Sequence, residues 1–92
     1  MTEAKITHYL KKRLKELKIF HIKLSDRYHS GIPDLYVANH GRSYWVELKA
    51  EGEQPTPIQL EFAKQLRKAG AYWCWMSSKQ EIDSFIKLVS TL

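Results

Sequence analysis

GIPDLYVANHGRSYWVELK, residues Gly31–Lys49, is the stretch whose reading decides the fold. Its centre, Asn39, His40, Gly41 and Arg42, is rich in turn formers and lies between two runs of strand-type residues, which predicts a β-hairpin. A two-residue loop at His40 and Gly41, or a four-residue loop through Asn39–Arg42, gives the same register, with facing residue numbers summing to 81. Asp34 then faces Glu47. Period-two alternation puts Lys49 on the same side as Glu47, with Leu48 on the other. Leu35 and Val37 share the second side with Tyr44, Val46 and Leu48, an apolar surface for a core. Asp34, Tyr36, Trp45, Glu47 and Lys49 share the first, a mixture of charge and aromatics. A one-residue slip would exchange the two sides.

Two acids facing each other need a physical cause. Opposed side chains in an antiparallel pair have Cβ atoms roughly 5 Å apart, and like charges there are destabilising. At an effective dielectric near 20 the repulsion is on the order of 3 kcal/mol. One resolution is structural: a carboxylate turns to solvent or pairs with Lys49 or Arg42. The other is functional. Hard cations such as Mg²⁺ take carboxylate oxygens and turn the repulsion into a binding site.

Outward from the hairpin, Thr2 can cap a helix from about Glu3 to Leu17, with Ile6, Leu10, Leu14 and Leu17 on one face. Glu3 lies on that face. It reads either as an acid favoured by the helix dipole or as a third carboxylate aimed at the site. Phe20–Leu24 alternates as a half-buried strand, and Ser25–Ser30 is a polar loop. In that loop His29 reads as an ordinary loop histidine, with substrate contact as the alternative. Gly31 permits a close backbone approach or an unusual dihedral, and Pro33 keeps the chain extended. After the hairpin, Glu51 and Glu53 sit in a short loop, as solvated acids or spare ligands. Thr56, Pro57 and Gln59 form a capping box that starts a helix with Ile58, Phe62, Leu66 and Ala69 inward and Gly70 as its stop. Ala71–Met76 is a strand carrying Trp73 and Trp75 on one side. Ser78 and Glu81 make a second capping box for a last helix, with Ile82, Phe85, Ile86 and Val89 inward. The strand–helix–strand order after the hairpin predicts a parallel crossover. The expected architecture is α/β, in the order α-β-β-β-α-β-α, a mixed sheet of about four strands with flanking helices.

Ninety-two residues make one domain, 1–92, with no room for a second core. At 43% hydrophobic residues the chain is globular. It has no apolar run of the roughly 20 residues that span a bilayer and no secretory signal. Cys74 is the single cysteine, which excludes an internal disulfide and a cysteine zinc cluster and makes a reducing, cytoplasmic compartment the default. His8, His21 and His40 show no ligand spacing, and no Ser-His or Cys-His pair is evident from order and spacing. Fifteen basic against ten acidic residues leave a net charge of +5, which favours a polyanionic partner.

Pro33 and Asp34, followed by Glu47, Leu48 and Lys49, resemble the PD-(D/E)-x-K nuclease signature. The leading Gly31 and the later Pro57 and Gln59 narrow the resemblance to the VRR-NUC (virus-type replication-repair nuclease) branch, over most of the chain. The resemblance implies a restriction-endonuclease-like core holding one or two Mg²⁺ or Mn²⁺ ions. Asp34, Glu47, the main-chain carbonyl of Leu48 and, from the first helix, Glu3 would be its ligands. Lys49 would orient the attacking water or stabilise the transition state, and Gln59 would contact the site from its helix start. It further implies phosphodiester hydrolysis in DNA, of branched or junction-like form, in replication, recombination or repair, often in phages. Trp73 and Trp75 read first as core, with a dimer seam or a base-stacking surface as alternatives; a homodimer is expected, using them as its seam if their strand lies near an edge. The alternative from another class is a non-catalytic nucleic-acid-binding module on the same fold, which intact Asp34, Glu47 and Lys49 argue against.

Overall fold

The computed structural model describes residues 1–25 and 30–91. The expectations for Asp26, Arg27, Tyr28 and His29 therefore lie outside the described residues. Seven elements follow in the expected order: α1 (Glu3–Glu16), β1 (Phe20–Lys23), β2 (Leu35–Asn39), β3 (Arg42–Leu48), α2 (Pro57–Lys68), β4 (Tyr72–Met76) and α3 (Lys79–Ser90). Among the described residues the strands form one mixed sheet in the order β1-β2-β3-β4. β1 pairs antiparallel with β2 and β2 with β3, whereas β3 and β4 pair in parallel across the α2 crossover. No helix among the described residues is long and apolar enough to cross a membrane.

The hairpin turns at His40 and Gly41, both with positive φ (52° and 77°). Such a pair is the signature of a two-residue turn whose twist matches that of the strands. It enforces Asn39 opposite Arg42, and the pairs run back through Tyr36 opposite Trp45 to Leu35 opposite Val46. This is the expected register. Leu35, Val37, Tyr44, Val46 and Leu48 consequently point into one core with Ile6, Leu10 and Leu14 of α1 and Ile82, Phe85, Ile86 and Val89 of α3. α1 and α3 thus cover one side of the sheet, and the Tyr9 hydroxyl of α1 donates to Asp83 of α3.

α2 lies on the other side, over β4. Its buried residue is Ala63; Phe62 and Leu66 are half-buried, while Ile58 and Ala69 are exposed. The expected inward face of α2 is therefore rotated toward Gln59, Phe62, Ala63 and Leu66, which face β4 and the Glu47 end of β3. Leu17, expected inward on α1, caps that helix and is exposed as well. Trp73 is buried with the Arg67 guanidinium of α2 5.1 Å from its ring centre, so it belongs to this second layer rather than to a free seam. The second capping box is also shifted. Ser78 Oγ accepts from the Glu81 N–H at 3.1 Å, but the Glu81 carboxylate accepts from the N–H of Ser77, one residue before the cap.

α1 and α2 end in the same way. Ile19 N–H donates to Leu14 O and Lys18 N–H to Lys15 O; in α2, Ala71 N–H donates to Leu66 O and Gly70 N–H to Arg67 O. Each pattern needs one left-handed residue. In α2 it is Gly70 (φ 86°); in α1 it is Lys18 (φ 57°). A side chain in that conformation is strained, by roughly 1 kcal/mol relative to glycine. Lys18→Gly is expected to stabilise the protein by about that amount, seen as a melting temperature several degrees higher. The ordinary flexibility penalty of an added glycine would lower it instead.

Candidate active site

Glu47 stands near the end of β3 on the side away from the main core, and it is 1% exposed. Its Oε1 accepts from Gln59 Nε2 at 3.3 Å, while Oε2 is buried and has no hydrogen-bond partner among the described residues. Asp34 lies just before β2, and the strand ladder ends before reaching it. Its N–H donates to Val46 O at 2.9 Å, one residue out of step with the pairs that follow. Its Oδ2 accepts from the Leu48 N–H at 2.7 Å. The two acids face each other, but not as the ladder pair expected from the register: the ladder ends at Leu35 opposite Val46, and Asp34 is clamped by backbone beyond it. Burial first, and then the facing Asp34 carboxylate, push the Glu47 carboxyl up to about 9; Lys49 opposes this, and Glu3 adds to it.

Lys49 is buried and continues the strand, its N–H donating to Met76 O at 2.9 Å. Gln59 closes the expected capping box and also reaches the site, where its contact is with Glu47. Its backbone N–H and Oε1 close the capping box with Thr56 (3.3 and 2.9 Å), and its Nε2 reaches Glu47. Gly31 adopts φ 82°, and a Cβ there would stand 2.7 Å from Ile58 O at the start of α2. Glycine at this position lets the segment entering the site press on the helix turn that presents Gln59. Both properties ascribed to Gly31 from sequence, the dihedral and the close approach, occur together.

Glu3 is exposed at the start of α1. Its charge reaches Glu47, yet no group of three or more His, Cys, Asp or Glu side chains among the described residues is assembled to hold a metal ion. Glu51 turns away from the site: its carboxylate meets the Met1 amino group at 2.6 Å, and its N–H donates to Met1 O at 3.1 Å. That contact ties the beginning of α1 to the loop leaving β3. Sequence carries no sign of it, nor of the Leu48 N–H that holds Asp34, because backbone donors have no residue signature.

The donor set fits a hard divalent cation. Two carboxyl groups face each other, so that without a cation Glu47 is driven to keep its proton, and Glu47 Oε2 is buried with no partner other than the facing Asp34 among the described residues; a hard cation takes such oxygens in place of the proton.

A mixed four-stranded sheet with an acidic pair and a lysine at the end of its central hairpin defines a restriction-endonuclease-like α/β domain. Among solved structures, one described as a VRR_NUC domain is 34% identical, with a TM-score of 0.83 over 95% of this chain and 97% of the other. A second, a VRR_NUC domain protein, shares the fold at 20% identity, with a TM-score of 0.69 over 98% of this chain and 86% of that one. The chain belongs to the VRR-NUC family. No protein-family model and no curated protein matches it.

The raised Glu47 carboxyl makes stability depend on pH. Between the ordinary value of 4.5 and about 9 the folded protein holds a proton that the unfolded chain has released, so raising the pH favours unfolding. In EDTA, stability is expected to fall through this window, by up to roughly 3 kcal/mol at pH 7. Glu47→Gln should flatten this component and melt higher than the parent at pH 8. Parallel denaturation curves for the two proteins from pH 5 to 9 check it.

Proposed function

We propose that the protein is a metal-dependent nuclease that hydrolyses phosphodiester bonds in DNA. The observation that supports this reading is the buried Glu47 carboxyl facing Asp34 beside Lys49, its Oε2 without any other partner among the described residues. Asp34, Glu47 and the Leu48 carbonyl would hold Mg²⁺ or Mn²⁺, with Glu3 as a further ligand from α1. Bound there, the ion supplies Lewis acidity toward a water molecule and toward the phosphate charge. The chain's own residues do the positioning. Leu48 N–H fixes the Asp34 carboxylate, and Gln59 fixes Glu47 through Oε1, which directs Oε2 toward the ion. Lys49 orients the attacking water or balances the charge that grows on the phosphate in the transition state.

Under this reading the substrate is branched or junction-like DNA, and the protein works in repair, in the cytoplasm of a bacterial or phage-infected cell. A homodimer would use the open edge of β4. There a mostly apolar groove between that strand and α3 has Cys74, Trp75, Met76, Phe85 and Leu88 in its lining, with Gln80, Glu81 and Ser84 as its polar members, and Leu88 is 51% exposed. Trp73 lies under α2 and takes no part in such a seam.

Asp34→Asn and Glu47→Gln are each expected to lower cleavage in Mg²⁺ or Mn²⁺ by at least a hundredfold while the fold persists. Wild-type rates in either variant would exclude this site. Lys49→Ala should keep DNA affinity and lose most of its turnover, because its interaction strengthens only in the transition state. Raised KM with unchanged kcat would make Lys49 a phosphate anchor. A protein that binds DNA but never cleaves it in either metal would be a binding module. Light scattering, with a four-way junction cut beside a linear duplex of matched sequence, tests the dimer and the substrate preference together. A monomer that cuts both equally would overturn both.

A further inference from the structure

α1 and α3 cover one side of the sheet, and α2 covers the other over β4 and the Glu47 end of β3. Over β1, β2 and the Trp45 part of β3 the helices leave that second side uncovered among the described residues, and its exposed and half-exposed side chains there are largely apolar. Phe20 is 59% exposed and Ile22 46%, while Tyr36 and Trp45 are half-buried. Register places Ile22 beside Tyr36 and Tyr36 beside Trp45, a row running across three strands. The rings of Phe20 and Tyr36 are 6.4 Å apart and those of Tyr36 and Trp45 5.3 Å apart, both edge to face. The Tyr36 hydroxyl donates to Ser43 Oγ at 2.6 Å, which fixes its ring. Glu47 follows Trp45 on the same side of β3, one pleat repeat or about 7 Å further along.

We propose that this open aromatic row is a stacking platform for unpaired bases, so that the site takes strands with unpaired nucleotides next to the phosphate being cut. The inference rests on the nuclease reading and narrows its substrate. Contiguous exposed apolar surface on a small domain marks a contact site. Its occupant must share the ground with the acidic pair one repeat away. A second copy seated here would cover the approach to Asp34 and Glu47, whereas a nucleotide whose phosphate enters the site carries its neighbouring base onto Trp45. The net charge of +5 favours the polyanion. Paired bases are stacked on each other and offer side chains only their edges, so a platform of ring faces and edges gains most from single-stranded bases.

The test is fluorescence anisotropy in EDTA with labelled oligonucleotides of equal length: oligo-dT, an abasic strand with the same phosphates, and a duplex. Oligo-dT is expected to bind at least tenfold more tightly than either of the others and to quench tryptophan emission. Phe20→Leu and Trp45→Leu should each weaken oligo-dT binding about tenfold and leave abasic binding unchanged. Equal affinity for oligo-dT and the abasic strand would overturn the platform. So would folded variants that bind oligo-dT like the parent, or self-association at micromolar concentration without oligonucleotide binding. If Trp45→Leu fails to fold, the parent's preference for bases over abasic phosphates decides. Cleavage in Mg²⁺ or Mn²⁺ is read separately. Base preference without cleavage removes the nuclease reading and keeps the platform as a binding surface, whereas cleavage without base preference removes the platform alone.

Discussion

Glu47 is a carboxyl group in a place where neither water nor a cation of the protein fully compensates its charge, and much of the architecture follows from holding it there. It is buried, it faces Asp34, and one of its oxygens has no other partner among the described residues. Such a group is tolerated only where neighbouring structure is stable enough to impose it. That imposition begins at the far end of the hairpin. His40 and Gly41 set the register through their positive φ angles, and the register sends Val46 and Leu48 into the main core and Glu47 to the other side. Slipping by one residue would bury Glu47 among leucines and isoleucines and expose Leu48, so the apolar layer beneath the sheet enforces the acidic pair above it.

The supports around the pair come from separate parts of the chain. Leu48 N–H holds Asp34, the first turn of α2 delivers Gln59, and Gly31 allows the incoming segment to press against that turn. The capping box of α2 is what makes Gln59 rigid, since its Oε1 is committed to the Thr56 N–H and only Nε2 is left to reach the acid. A stabilising motif and a site contact thus occupy the two ends of one amide.

The parts of this arrangement that were legible in sequence are those with a residue period or a turn chemistry. The hairpin register, the alternation along β3, and the inward faces of α1 over Ile6, Leu10 and Leu14 and of α3 could all be read from spacing. The inward face of α2 could not. Apolar residues at helical intervals show which side of a helix is greasy, but not how much sheet lies beneath it, and α2 packs mainly on β4, reaching β3 at Glu47. The break in the ladder at Asp34 was equally hidden. Pro33 announces an extended segment, while the out-of-step bond from Asp34 N–H to Val46 O depends on three-dimensional crowding at the end of the hairpin. Glu3 shows the limit from the other direction: the face it shares with Ile6 could be read from spacing, but its exposure at the start of α1, with only its charge reaching Glu47, depends on how the whole helix is seated.

The same economy explains why the site sits at the border between covered and open sheet. A chain of this length can bury one sheet face completely and the other only in part. A carboxylate pair beneath full cover would be inaccessible to a polymer, and one in open solvent would keep an ordinary carboxyl range and have little pull on a cation. At the margin of α2, Glu47 is dry enough for its carboxyl to be pushed up to about 9, yet it stands one pleat repeat from residues that water still reaches. The uncovered strands must then carry side chains that tolerate partial exposure. Tyr36 and Trp45 do so by combining apolar rings with a polar atom, and pack edge to face across the strand boundary. Incomplete cover is therefore what allows the acidic pair to be both desolvated and reachable.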